Sequence, residues 1–320
     1  MFTGILLKTL STLAFTAMSI GVRAAAPTCP VAEIVFFRSA FALVVLGIWL
    51  GANGGFPGHL ATRRPLGHLG RGLSGSAGMF ANFLSLSLLP LADATAYFYA
   101  SPIFVTLIAA LGLREKVHVS RWVAVVIGFG GVLIMLSDHF GLVAAAKSAA
   151  ESRPAEALGA TVALSGAGFA ALSIIQTRRL TLSEHTGAIV FYFTCLTTVV
   201  GAVVLALAQV WPVGVLASQA FVAPGAREWG ALAVIGVSGG VAQILATQSY
   251  RYADASLLAS FDYLAMLWAL LASLAFFDQW PSSVVVAGAA AITVSGLLAI
   301  FGERHARRKA AILAALSPNS

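Results

Sequence analysis

Ten runs of apolar residues, each close to twenty positions long, alternate with short segments rich in charge, Pro and Gly. They lie near 3–22, 32–50, 70–89, 93–112, 119–136, 157–176, 186–208, 228–249, 254–276 and 283–302. A hydrocarbon layer about 30 Å thick takes about 20 apolar residues of α-helix. Helices satisfy their own backbone polar groups in lipid. The pattern therefore predicts an all-α integral membrane protein with ten transmembrane helices. The first run, "ILLKTLSTLAFTAMSIGVRAAA", has small residues near 24–26, as a cleavable signal peptide does. Lys8 sits inside that run rather than before it, and nine more runs follow, which favours a retained span. Retention of residues 1–26 stays open at this point.

The polar positions between the runs set an orientation. With the N-terminus inside, 14 basic residues fall inside: Lys8; Arg63, Arg64, Arg71; Arg114, Lys116, Arg121; Arg178, Arg179; Arg251; and Arg304, Arg307, Arg308, Lys309. Only 4 fall outside, namely Arg23, Lys147, Arg153 and Arg227, while Arg38 lies within a span. This positive-inside bias predicts that both termini are cytoplasmic.

The apolar runs also repeat. "FTAMSI" (15–20) matches "FAALSI" (169–174) at an offset of 154, and "EIVFF" (33–37) matches "AIVFY" (188–192) at 155. "ADAT" (92–95) matches "ADAS" (253–256) at 161, and the longer 209–228 loop absorbs the drift. The matches keep their order at close to half the chain length. They predict two five-helix units, 1–136 and 157–302, joined by a polar connector at 137–156 and followed by a basic cytoplasmic tail at 303–320. Five is odd, so the second unit is inverted, an architecture common among secondary transporters. Asp93 and Asp254 then start the fourth helix of each unit, where a carboxylate favours the helix N-terminus.

Composition narrows the function. Of 320 residues, 59% are hydrophobic and 10% charged, where a soluble domain carries about 25% charged. The net charge of +7 is scattered apart from "ERHARRK" (303–309), without the aromatic–basic face that nucleic acid requires. Cys29 and Cys195 make no disulfide framework and have no metal-ligand spacing. G-x-x-x-x-G-K-[ST] and H-E-x-x-H are both missing. No catalytic residue, metal or cofactor is expected. A membrane-embedded enzyme acting on a lipid-linked substrate is the alternative, but the six His, at 59, 68, 118, 139, 185 and 305, are dispersed. "GFGG" (128–131), "GAGFA" (166–170) and "SGG" (238–240) lie within apolar runs, where small residues serve close helix contact.

The chain resembles the drug/metabolite transporter superfamily, specifically its ten-helix members built from two EamA-type domains. The likeness rests on "VAEIVFFRSAF" (31–41), "PLADATAYFYASPIFVTLIAALGLREK" (90–116) and "IGFGGVLIML" (127–136). In the second half it rests on "YADASLLASFDYLAMLWALLASLAFFDQWP" (252–281) and "SGLLAIFGE" (295–303). The resemblance implies transport of a small molecule across a bacterial inner membrane through a central cavity. It also implies a Glu after the fourth helix of each unit. Glu115 fits, whereas Asp278 stands at the second position. The lipid bilayer and the small-molecule substrate are the expected partners, with a homodimer as a further candidate.

Intramembrane polar residues are the candidate site. Arg38 lies about 10 Å inside the second run and has Phe193 as its repeat partner. It either meets substrate or ties helices together, and Glu33, close to one turn away, is a candidate partner and coupling group. Asp262 lies about 12 Å inside the ninth run, opposite Ser101 in the repeat, and is a candidate for cation binding or proton coupling. Asn82, Tyr97, Tyr99, Gln243, Gln248 and Trp268 are candidates for lining the cavity, with packing as the competing role for each aromatic. Pro102 is expected to kink the fourth helix as a hinge. Arg38 suits an anionic group and Asp262 a cationic one. The expected cargo is therefore an amino-acid-like or other zwitterionic or cationic compound, moved by alternating access.

Overall fold

The computed structural model describes residues 2–54, 57–98, 100–108, 119–139, 153–252, 258, 261 and 264–316. Its helices are α1 (Phe2–Ala25), α2 (Val31–Ala52), α3 (Pro65–Leu88), α4 (Leu91–Phe98), α5 (Ser101–Leu107) and α6 (Val119–His139). They are followed by α7 (Arg153–Thr181), α8 (Thr186–Val210), α9 (Ala226–Tyr252), α10 (Leu264–Phe277) and α11 (Ser283–Leu316). Short 3-10 turns occupy Gly58–Leu60 and Gly214–Gln219, and no strand occurs among the described residues.

Five of these helices, α1, α2, α7, α8 and α9, are long and apolar enough to cross a membrane. Among the described residues, two further runs depart from a single apolar helix for physical reasons. α3 has 24 residues but carries His68, Arg71, Ser74, Ser76, Asn82 and Ser85, and it is not among the helices apolar enough to span. The fourth run is not one helix. It breaks after Phe98, and Ser101–Leu107 begins a new helix with Pro102 in its first turn. Pro is favoured there because the helix start needs no N–H from it. The expected kink is thus a break one to three residues earlier, closed by Ala100 N–H donating to Tyr97 O at 3.0 Å. Only the later part of the ninth run, α10, lies within the described helices. The tenth run continues without a stop through "ERHARRK" to Leu316, where the sequence predicts a separate tail from 303.

The bundle hides polar side chains and turns Val, Ile, Leu and Phe outward. Val44 and Ile48 of α2, Val126 and Phe129 of α6, Val199 and Val203 of α8, and Val286 and Val294 of α11 are exposed. Lipid rather than water is the solvent such a surface requires. The most extensive helix pairings are α1 on α9, α3 on α7, and α6 on α11. α2 runs between α8 and α9, while α3 packs against α8 as well. α10 covers α1, and α4 and α5 cover α7.

Candidate functional site: two buried arginines between paired clasps

Two arginines sit inside the bundle. Arg38, on α2, is 1% exposed, and its Nη2 donates to Gly239 O of α9 at 3.3 Å. Its Nε and Nη1 have no hydrogen-bond partner among the described residues. Gly239 is required here, since a Cβ on it would lie 2.9 Å from Arg38 Nε and 2.8 Å from Met18 Sδ. Arg71, on α3, is 5% exposed; its Nε donates to Thr177 Oγ1 of α7 at 3.1 Å. Its Cζ stands 3.6 Å from the ring centroid of Phe193 on α8, a cation–π contact. Arg71 Nη1 has no hydrogen-bond partner among the described residues. Gly75 opens this space, because a Cβ there would lie 2.6 Å from Phe193 Cε2 and 2.9 Å from Arg71 Nη1. The helices that carry the two arginines, α2 and α3, pack on one another, and both pack on α8.

A polar seam continues from Arg71 along α3. Ser74 Oγ donates to Gln176 Oε1 at 2.9 Å, and Ser76 and Thr197 share a hydroxyl hydrogen bond of 2.9 Å. Asn82 is half-buried further along the same helix.

Each end of the bundle is closed by a loop held on a carboxylate. At one end Glu33 Oε2 accepts from Val222 N–H at 3.1 Å, and Gln219 Oε1 accepts from Ala32 N–H at 3.0 Å. At the other end Glu184 Oε1 accepts from Arg63 N–H at 3.1 Å, and Tyr192 OH donates to Leu60 O at 3.0 Å. His68 Nε2 lies 3.7 Å from Glu184 Oε2, and the His59 and His185 rings stack at 4.6 Å. In both cases the loop after α2 or α8 grips the start of the other of these two helices.

The sequence candidates divide under this geometry. Glu33 does not pair with Arg38; its carboxylate is taken by the 220–225 segment. Five residues of α-helix turn the chain by about 140° relative to the starting face, so the two side chains point apart. Tyr97 is fully buried in the core. Gln243 and Gln248 are half-buried on α9, the helix whose Gly239 carbonyl receives Arg38. Trp268 lies elsewhere, in an apolar groove between α1 and α10 with Leu13, Thr16, Ile20 and Phe276. Asp93 falls in the first turn of α4, as expected, and is buried. Tyr99, Asp254, Asp262 and Glu115 lie outside the described residues. Asp278 ends α10 with a φ of 50° and is exposed, and Gln279 N–H returns to Ser273 O beside it.

Arg71, Phe193, His68 and Glu184 are not among the residues that sequence reasoning assigns to the site. A signal for Arg71 exists: His68, Arg71, Gly75, Gly78, Asn82 and Ser85 recur at three- and four-residue spacing, one face of a helix. Lys8 likewise reads as a loop charge in the sequence. It is buried on α1, with Nζ 3.5 Å from Tyr250 OH of α9. Without Lys8 and Arg71 the loop charges still stand at 12 against 4.

The chain is a helical membrane bundle, and similarity to known proteins gives its family. Residues 2–137 match the EamA-like transporter family. The chain is 30% identical over 297 residues to the pseudopaline exporter CntI of Pseudomonas aeruginosa, covering 91% of this chain and 94% of that one. It is 28% identical over 280 residues to an S-adenosylmethionine uptake transporter of Rickettsia conorii, covering 87% and 85%. A solved crystal structure superposes with a TM-score of 0.63 at 20% identity, over 94% of this chain and 98% of the other, which shows a common fold. The chain belongs to the EamA-like transporter family. It is a membrane transporter and not an enzyme.

Proposed function

We propose that this protein is a secondary transporter that moves a small organic metabolite across a bacterial inner membrane by alternating access. Its moving parts are two inverted five-helix halves, 1–136 and 157–302, and its termini are cytoplasmic. The observation that carries this reading is an exchange in the packing. The first helix of each half lies on the third helix of the other, α1 on α9 and α7 on α3. The second helices meet as α2 on α8, and the fifth as α6 on α11. Such reciprocity is what an inverted repeat predicts. It also supports retention of residues 1–26, since α1 is one of the exchanged helices.

The same reciprocity relates the clasps. Release of Glu33 from Val222 opens one face, and release of Glu184 from Arg63 opens the other. Glu33 acts in this scheme as a gate rather than as a coupling group. An exporter and an uptake transporter both align over most of this chain, so one frame serves either direction. The cargo carries an acid group, because the two buried arginines keep donors without a partner among the described residues. An amino-acid-like or other zwitterionic compound fits, while the cationic alternative rests on Asp262, outside the described residues.

Purified protein in proteoliposomes tests the reading. Wild type moves at least one compound of a metabolite extract faster than empty vesicles do; flux of none would sink the transporter assignment.

A further inference from the structure

We propose that Arg38 and Arg71 form two anion-binding points of one cargo site, and that the cargo is an organic anion bearing at least two carboxylates. The proposal rests on the transporter reading and specifies its substrate class.

Both arginines are more than nine-tenths buried, and both keep donors without a partner among the described residues: Nε and Nη1 of Arg38, and Nη1 of Arg71. No carboxylate pairs with either among the described residues. An ionised group within a membrane normally faces a partner or a water-filled path. A second buried cation on a helix packed against the first adds to that cost, and an incoming anion relieves it. Each arginine is anchored by one hydrogen bond, Arg38 to Gly239 O and Arg71 to Thr177 Oγ1, which leaves an edge for a carboxylate.

The repeat separates these residues from scaffold. Gly75 and Gly78 stand 161 positions before Gly236 and Gly239, so the third helices align in this register. The repeat partner of Arg71 is then Leu232, and that of Arg38 is Phe193. Both positions are apolar in the other half, and both partners are buried. A charge needed for the fold would serve both halves. These two serve one side of the pseudo-axis only, where an asymmetric cargo binds. The arginines come from different helices with separate anchors, so they suit two acid groups on one molecule better than one compact phosphate.

The test uses detergent-purified full-length protein and thermal unfolding, with glutarate and citrate as probes. Butyrate, putrescine and inorganic phosphate are the controls. Near saturation, glutarate or citrate raises Tm by about 5 °C, and the controls leave it unchanged. Arg38→Gln and Arg71→Gln lose this shift and are no less stable than wild type without ligand. Arg38→Lys and Arg71→Lys keep the charge without the fork, and retain a reduced shift. The assignment is overturned by any of four results: no shift with either dianion, an equal shift with a control, a shift that survives either Gln variant, or a Gln variant that unfolds at lower temperature without ligand. The metabolite-extract flux separates the two levels of the argument. Movement confined to cations and neutral compounds overturns the dianion assignment and leaves the transporter standing. If nothing moves, the transporter reading fails and the Tm series alone decides the site.

Discussion

Arg71 holds its guanidinium over Phe193, 3.6 Å from the ring centroid, and Phe193 is the residue that the proposed repeat aligns with Arg38. In the proposed repeat, one half thus places an aromatic ring where the other places a cation. Replacing Phe193 by Leu keeps the position apolar and removes the ring face. A cation–π contact of this kind contributes about 0.5–2 kcal/mol. We expect KM for the cargo to rise about 2- to 30-fold, with the fold intact by circular dichroism. An unchanged KM would show that the ring does not position Arg71.

The clasps at the two ends predict opposite biases. Glu33→Gln and Glu184→Gln each weaken one charge-assisted hydrogen bond by about 1–2 kcal/mol. Glu33→Gln favours opening at the 220–225 end, and Glu184→Gln favours opening at the 57–64 end. A cysteine placed at each end, in a background without Cys29 and Cys195, reports this through labelling by a membrane-impermeant thiol reagent. The two variants change labelling in opposite senses. If both shift it the same way, the loops are not alternating gates.

Two glycines within apolar helices should respond to the same substitution with opposite signs. Gly239→Ala forces a Cβ against Arg38 and Met18, and overpacking of this sort costs about 1–3 kcal/mol. A methyl group on Gly168, within α7, would meet nothing within 4 Å, so Gly168→Ala gains about 0.5–1 kcal/mol from helix propensity. Thermal unfolding of the two variants beside wild type decides the matter.

Cys29 lies in the turn between α1 and α2 and is buried, and burial pushes its thiol up from the ordinary range. Its reactive thiolate is therefore scarce at neutral pH. Iodoacetamide should label it at least about 10-fold more slowly than an exposed thiol at a pH of about 7.5, and faster after unfolding. The folded state keeps this proton at a pH where the unfolded chain has lost it. Stability from this group is present below the unfolded value and falls as pH rises past it. A Cys29→Ser variant should lose that alkaline decline in Tm.

The apolar runs foretell the course of most helices because lipid imposes length and hydrophobicity together. α1, α2, α7, α8 and α9 meet both conditions, and their expected bounds lie within a few residues of those observed. α3 is recognisable as a run, yet its function is hidden. Arg71 sits so near the start of that run that it reads as a loop charge, and only the helix pairing with α7 and α8 reveals it as interior. The expected Glu33–Arg38 pair fails on helical phase, which proximity in sequence does not reveal. Trp268, a cargo candidate by residue type, lines an apolar groove between α1 and α10, a placement that its position in the run does not reveal. Glu184 carries no sequence signal, because a carboxylate before a helix is commonplace, and its partner Arg63 contributes a backbone N–H that any residue has.

α11 runs for 34 residues without interruption. At 1.5 Å per residue it is about 50 Å long, against a hydrocarbon layer of about 30 Å. About 20 Å of rod must therefore stand clear of the acyl chains. Arg304, Arg307, Arg308 and Lys309 fall in its later part, beyond the apolar run that ends near 302. A fluorescent protein joined at Leu316, the last residue of α11, would ride on a spacer rather than against the bundle. Such a fusion reports abundance and sidedness while leaving the carrier's own motion unencumbered.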